Sequence, residues 1–167
     1  RIEGGELAAA PEAELRLMRV IGNTYRDVAQ YDAAEPILRS TVSKARALFQ
    51  TDHLELALSQ SSLAELLRLR GDLDSAESLF RDALEMNRRL FPGDHPEVAN
   101  GLENLAGLLH TRGDLASAES LMRQALEMAR RAFEAQEVPI GALLVLGEEV
   151  LARASNAPIS SLDPTAH

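Results

Sequence analysis

The chain of 167 residues has no cysteine and no tryptophan, and only four phenylalanines and two tyrosines. Without cysteine there can be no disulfide, thiolate metal site, iron–sulfur cluster or cysteine nucleophile. Valine, isoleucine and threonine together number 17, which is few for a protein built of strands. The composition therefore disfavours an all-β fold and a large parallel sheet.

Positive charge and long apolar segments are also scarce. The net charge is −9 and the isoelectric point is near 4.9, which argues against a protein that binds nucleic acid by neutralising phosphates. The longest apolar run, residues 138–147, is too short to span a bilayer. We therefore expect neither nucleic acid nor a membrane among the partners, and a cytoplasmic location. The N-terminus, Arg1–Gly5, lacks both an initiator methionine and signal-peptide character. We thus expect a segment of a longer or processed protein.

What the chain has in excess is leucine (28) and alanine (26), both strong helix formers, and they are arranged in a repeat. Residues 52–93 align without gaps on residues 94–135, and 25 of the 42 positions are identical. A fainter copy occupies residues 10–51. Self-similarity at a fixed period of this length is typical of repeat architectures, in which each unit packs against its neighbours.

Each unit is predicted to be a pair of helices. In the third unit, Asp94 or His95 caps a helix that starts at Pro96, and Gly113 stops it. Leu102, Leu105, Ala106 and Leu109 form one buried stripe along that helix. Small residues are predicted where the two helices approach each other: Gly22, Ala64 and Ala106 on the first helices, and Ala34, Ala76 and Ala118 on the second. A larger side chain there would hold the helix axes apart.

The chain is accordingly predicted to consist of an N-terminal extension (1–9), three repeats (10–51, 52–93 and 94–135), a capping helix that is a degenerate fourth repeat (136–154) and a flexible tail (155–167).

The predicted capping helix would have apolar side chains around most of its circumference. A helix apolar all round is normally buried. We therefore expect Ile140, Leu143, Leu144, Val150 and Leu151 to be covered by the tail, by further repeats or by a second chain in a homodimer.

The repeats resemble tetratricopeptide repeats, whose pattern is Trp-x2-Leu-Gly-x2-Tyr followed by Ala-x3-Phe. The pattern stands here as Gln60-x2-Leu63-Ala64-x2-Leu67 with Ala76-x3-Phe80, and as Met18-x2-Ile21-Gly22-x2-Tyr25 with Ala34-x3-Leu38. The 42-residue period and the segment Gly-Asp-His-Pro-Glu-Val-Ala at 93–99 resemble the kinesin-light-chain type, found in bacterial signalling proteins that include some serine/threonine kinases. The resemblance implies an all-α solenoid, a right-handed superhelix with the first helices on its concave side.

One register of polar residues on the first helices lies beside the buried stripe and is predicted to line that groove. The candidates are Arg16, Arg19, Asn23, Arg26, Ser61, Ser62, Glu65, Arg68, Asn100, Glu103, Asn104 and His110. The four arginines would favour an acidic or phosphorylated peptide, because a guanidinium binds carboxylate and phosphate with two hydrogen bonds. The alternative is a solvated helix face with no ligand.

Motifs for catalysis are absent from the sequence, which has no Gly-x-Ser-x-Gly, no phosphate-binding glycine loop with lysine and no His-Glu-x-x-His. His53 and His95 are repeat equivalents and lack the i, i+4 spacing of a helical zinc site, so no metal and no cofactor are expected. Two functions remain. The first is a non-catalytic scaffold that binds a peptide or protein in the groove. The second is a regulatory or oligomerisation segment of a larger bacterial signalling enzyme, self-associating through residues 140–151.

Overall fold

The computed structural model describes residues 11–134, 143–146 and 149–153. Six helices run in order: α1 Pro11–Asp27, α2 Tyr31–Leu48, α3 Leu54–Arg70, α4 Leu73–Leu90, α5 Pro96–Arg112 and α6 Leu115–Glu134. Successive helices pack as the pairs α1–α2, α3–α4 and α5–α6, and each pair packs on the next through α2–α3 and α4–α5. The expected all-α solenoid of helix pairs is confirmed. The boundaries assigned to the individual repeats stay a prediction.

Glycine ends the first helix of the second and third pairs. Gly71 and Gly113 both have φ of 85°, a left-handed conformation that glycine adopts without steric cost. The amide of the following aspartate closes the helix end, with Asp72 N donating to Leu67 O at 2.9 Å. Each aspartate then caps the next helix by accepting from a backbone N–H three residues on. The hydrogen bonds from Ser117 lower the pKa of Asp114.

Histidine caps the start of the first helix in the same two pairs. Of the two predicted caps for α5, Asp94 and His95, the structure has His95. Nδ1 of His53 accepts from Glu55 N at 3.2 Å, and Nδ1 of His95 accepts from Glu97 N at 3.1 Å. Each imidazole also stacks on the phenylalanine four residues earlier, with ring centroids 3.5 and 3.9 Å apart. The recurring histidines are therefore structural caps in a turn that repeats at the 42-residue offset.

Small residues do bring the helices of each pair together, as predicted. Ala64 and Ala106, with their partners Ala76 and Ala118, are at most 2% exposed. A Cβ atom added to Gly22 would lie 2.6 Å from Cδ2 of Leu38, which is closer than real Cβ contacts. The helix axes therefore sit at a distance that only glycine or alanine allows.

An ion-pair cluster recurs at the two junctions between pairs. Arg70 of α3 binds Asp32 at 2.9 Å and Glu35 at 2.7 Å on α2. One repeat later, Arg112 of α5 binds Asp74 and Glu77 on α4. Each junction thus has an arginine from the later first helix held between two carboxylates of the earlier second helix. We call this arrangement the junction clamp.

The capping helix predicted over 136–154 is wrong where the structure describes that region. Residues Leu143–Leu146 (β1) and Glu149–Arg153 (β2) form an antiparallel pair, with Leu143 opposite Arg153 and Leu146 opposite Glu149. The two strands are four and five residues long and hold the β-branched residues Val145 and Val150, which suit strands. Of the self-association candidates, Leu143 and Leu144 lie on β1, Val150 and Leu151 lie on β2, and Ile140 falls outside the described residues.

The first pair departs from the glycine rule and so offers a stability test. Ala29 has φ of 59° yet makes the same helix-ending contacts, and Gln30 N donates to Tyr25 O at 2.8 Å. A left-handed conformation costs a residue with a Cβ atom roughly 1–2 kcal/mol. We expect Ala29→Gly to raise the free energy of unfolding by about 1 kcal/mol, measured by urea denaturation.

The matched control is Gly71→Ala, which places the same Cβ at an equivalent left-handed position and should lower stability by a similar amount. Equal stability of the parent and Ala29→Gly proteins would contradict this account of the helix end.

Candidate functional site on the first helices

The first helices α1, α3 and α5 lie side by side, α1 on α3 and α3 on α5. Their outward positions recur at the 42-residue offset and form one continuous surface, which we call the first-helix surface. It contains the predicted groove candidates except Ser62, which is 8% exposed and therefore not available to a ligand.

One open cavity of about 380 Å³ brings together five of the predicted site residues. Glu65 and Arg68 of α3 lie on one side, and Glu103, Asn104 and His110 of α5 lie on the other. The remaining lining comes from Ala106, Gly107, Thr111, Ala118 and Met122. The cavity thus spans the second and third pairs.

Gly107 is the residue that opens this cavity. A Cβ atom built at Gly107 would meet no atom within 4 Å, so the space above it is empty. Its repeat equivalents are Asn23 and Glu65, which carry side chains at this point of the first-helix surface. The sequence comparison predicted the register of this position but not that its lack of a side chain makes room for a ligand.

Within the cavity, Arg68 already has partners. Its guanidinium donates to both carboxylate oxygens of Glu65, at 2.8 and 2.7 Å, and to Thr111 Oγ1 at 3.1 Å. The hydrogen bonds to Glu65 raise the pKa of Arg68. This two-point ion pair within α3 neutralises the arginine, and the hydrogen bond to Thr111 links α3 to α5.

Glu103 is the charged group of the cavity that lacks such a partner. Among the described residues, no hydrogen bond or ion pair reaches its carboxylate, and burial raises the pKa of Glu103 above its usual range. A carboxylate in such surroundings is stabilised by any donor that approaches it. The cavity therefore offers a carboxylate without a protein partner beside the empty space above Gly107.

The N-terminal arginines are paired within the chain as well. Arg19 Nε donates to Glu55 Oε1 at 2.8 Å, and Arg16 Nε lies 3.5 Å from Glu55 Oε2. Arg26 binds Asp27 at 2.8 Å and Asn23 at 3.2 Å. Glu55 is only 3% exposed, and the sequence pattern gave no sign of its role because it lies 36 residues from Arg19. The four candidate arginines thus belong to internal ion pairs.

Two further predicted site residues lie outside these ion pairs. Asn100 is exposed, and Ser61 is half-buried on α3.

Across the described part of the chain, no group of three histidine, cysteine, aspartate or glutamate side chains is placed to hold a metal ion. None of the described helices combines the length and apolar character needed to cross a bilayer.

The helix pairs and their small-residue contacts define a class of repeat protein. The family model for the tetratricopeptide repeat matches residues 13–89 and 81–131, well over half of the chain. The chain therefore belongs to the tetratricopeptide repeat family, and its 42-residue period places it beside the kinesin-light-chain type. No curated protein matches the chain.

Two solved structures show the same likeness in three dimensions. A kinesin light chain-type protein of Podosopora anserina with nearly identical TPR-like repeats has a TM-score of 0.66 and 19% identity, over 71% of this chain and 56% of that one. BtubC (BKLC) from P. vanneervenii has a TM-score of 0.64 and 18% identity, over 81% of this chain and 54% of that one. The chain thus corresponds to about half the length of each, and the likeness concerns the fold.

The Arg19–Glu55 pair yields a prediction that separates structure from ligand binding. Replacing Arg19 with alanine leaves the buried carboxylate of Glu55 with Arg16 alone, at a longer distance. A buried group deprived of its partner costs roughly 1–3 kcal/mol, so Arg19→Ala should lower the free energy of unfolding by that amount. Thermal and urea denaturation measure the change.

The double variant Arg19→Ala with Glu55→Ala removes both charges and should recover part of the loss. A double variant less stable than Arg19→Ala by the full cost of Glu55→Ala would show that the two side chains do not interact.

Proposed function

We propose that the chain is a non-catalytic scaffold for protein–protein interaction, which binds an extended segment of a partner along the first-helix surface. The observation that carries the proposal is the cavity of about 380 Å³ over Gly107, which lies between two first helices and is rimmed by polar side chains. Tetratricopeptide repeats in general mediate interactions between proteins, which supports this reading.

The chemistry of the cavity indicates what part of the partner would enter it. Glu103 is an unpaired acceptor, and Asn104 carries both a donor and an acceptor on the same helix. A peptide backbone offers N–H and C=O groups at a regular spacing, and these complement such a pair. We therefore place a donor of the ligand, either a backbone N–H or a basic side chain, at Glu103.

An acidic or phosphorylated ligand, the narrower prediction, could use these arginines only by breaking ion pairs that already exist. Such a ligand would have to replace Glu65 at Arg68, or Glu55 at Arg19, before it could use those guanidinium groups. Arg16 is the most accessible of the four, with a side chain that is 62% exposed. An acidic group would therefore bind first at the α1 end, with the remainder of the peptide running towards the cavity.

The second function, a regulatory segment of a larger bacterial signalling enzyme that associates through residues 140–151, is the weaker proposal. It assumed an apolar helix, and the described parts of that segment form two strands instead. We retain a cytoplasmic location as part of the proposal for the scaffold.

Filling the cavity while strengthening the fold provides a sharp test. Gly107→Gln adds a neutral side chain into empty space on a helix interior, where replacing glycine gains roughly 0.5–1 kcal/mol of stability. A random peptide library displayed on phage supplies a binding sequence for the parent protein. We expect Gly107→Gln to weaken binding of that peptide by about tenfold or more, equivalent to about 1.4 kcal/mol, in isothermal titration calorimetry.

Gly107→Ala is the matched control, because it brings the same gain in helix stability with almost no added volume and should bind as the parent does. Ser120→Ala serves as the surface control, since Ser120 lines a different groove beside Leu105 and Leu121. Unchanged affinity in Gly107→Gln would place the peptide elsewhere and contradict the proposed site.

A further inference from the structure

Large exposed hydrophobic residues are concentrated on one stripe of α1. Eight such residues occur in the described part of the chain. Four of them lie on this stripe, and a fifth directly follows the helix: Leu17 at 50%, Val20 at 54%, Ile21 at 40%, Tyr25 at 37% and then Val28 at 60% exposed. We call these five residues the head face. An apolar patch of this kind on a charged protein marks an interaction surface.

The repeat shows what normally covers this stripe. The equivalents of Ile21 in the later pairs are Leu63 and Leu105, which are only 5% and 7% exposed. A Cβ atom at Gly101, the equivalent of Leu17, would lie 2.9 Å from Leu84 on the preceding second helix. These positions are therefore the ones that pack on the preceding helix pair, and the head face is a junction surface without its partner.

The last described pair shows the complementary half of a junction. On α4, Glu77, Phe80 and Leu84 are buried at 8%, 1% and 3% where α5 covers them. Their equivalents on α6, Glu119, Met122 and Leu126, are exposed or half-buried. We define the tail face as Ala116, Glu119, Met122 and Leu126 of α6 with His110 of α5. It is the surface on which a following first helix would pack.

Residues of the junction clamp are replaced on both the head face and the tail face. The junction clamp uses an arginine at positions 70 and 112, and the equivalent position on the head face is Val28. The aspartate of the clamp, at positions 32 and 74, is replaced by Ala116 on the tail face. The arginine and one of its two carboxylates have thus been exchanged for apolar residues, one on each face. Bringing the faces together would place Val28 beside Ala116, while the second carboxylate, Glu119, is retained and forms an ion pair with Arg123 of its own helix.

A hydrogen bond that crosses an internal junction has an equivalent pair of residues on the head and tail faces. Arg68 donates to Thr111 across α3 and α5, and the equivalents at a joint between two chains are His110 of one copy and Asp27 of the other. The Asp27 carboxylate is 63% exposed and can accept a hydrogen bond from imidazole. The bulk of Leu17, where the internal junctions have Ser59 and Gly101, makes the joint wider than an internal one. The flexible Met122, in place of Phe80, can adapt to that width.

We propose that the head face of one chain packs on the tail face of a second copy, so that the solenoid continues from chain to chain. Continuity with the internal junctions, the concentrated apolar surface and the matched Val28 and Ala116 replacements support this occupant. Because the two faces are different surfaces, the contact is heterologous, and repetition of it gives open chains rather than a closed twofold dimer. His110 and Met122 belong both to the tail face and to the cavity over Gly107, whereas Val28 and Ala116 lie outside that cavity, so variants at these two positions test the association separately from peptide binding.

The test uses the whole chain in sedimentation velocity over a range of concentrations. We expect the parent protein to give an average mass that rises with concentration and does not stop at two copies. Val28→Glu disables the head face by placing a carboxylate near Glu119, and Ala116→Glu disables the tail face by burying an unpaired charge. Each change should weaken association by about tenfold or more. Circular dichroism checks that the helices are retained.

Mixing the two variants is the decisive measurement. The Val28→Glu protein keeps a working tail face and the Ala116→Glu protein keeps a working head face, so an equimolar mixture should form a dimer and nothing larger. Val28→Arg combined with Ala116→Asp restores the junction clamp and should associate about two- to fivefold more tightly than the parent. Leu48→Glu, at an exposed apolar residue outside both faces, is the control and should behave as the parent.

Several outcomes would overturn the proposal. A parent protein that remains monomeric at the highest concentration shows that other parts of the chain cover the faces. A mass that stops at two copies indicates a twofold dimer. Assembly that survives both variants but is lost in Leu144→Glu places the contact on β1 instead.

Discussion

The close approach of the two helices in each pair is the constraint on which the rest of the structure depends. A Cβ atom at Gly22 would collide with Leu38, and the alanines at the equivalent positions are fully buried. The same spacing fixes which side of each first helix faces outward, and so positions the first-helix surface.

The arginines on that surface form ion pairs within the chain. Glu55 pairs with Arg16 and Arg19, and Glu65 pairs with Arg68. Arginines that stand in a row in sequence thus do not create a strongly basic groove, because each is neutralised by a carboxylate from the same or the next repeat. In the proposed scaffold, binding therefore depends on the groups without a protein partner and on the available volume, chiefly on Glu103 and the space above Gly107.

The sequence was sufficient for the features that depend on local chemistry. Helix starts at Pro96, helix ends at Gly113 and the small residues at the helix contacts follow from conformational preference and the repeat, and all are confirmed. Features that depend on distant or competing contacts were not accessible. The burial of Glu55 needs Arg19 from another repeat, and Leu143–Leu146 is apolar enough for either a buried helix or a strand.

The exposed outer faces of α1 and α6 can be understood from the energetics of a linear array. In a solenoid each unit contacts only its neighbours, so stability is a sum of units and junctions, and among the described residues these two faces have no junction partner. The internal junctions combine apolar burial with a charged clamp, and the clamp orients the helices because its arginine must reach two carboxylates. The outer faces retain the apolar part and have exchanged Arg for Val28 and Asp for Ala116. An uncovered Arg or Asp would be hydrated and costly to bury without its partner, whereas Val28 and Ala116 gain by being covered. The replacement of charge at both ends therefore favours a covered state over a solvated one.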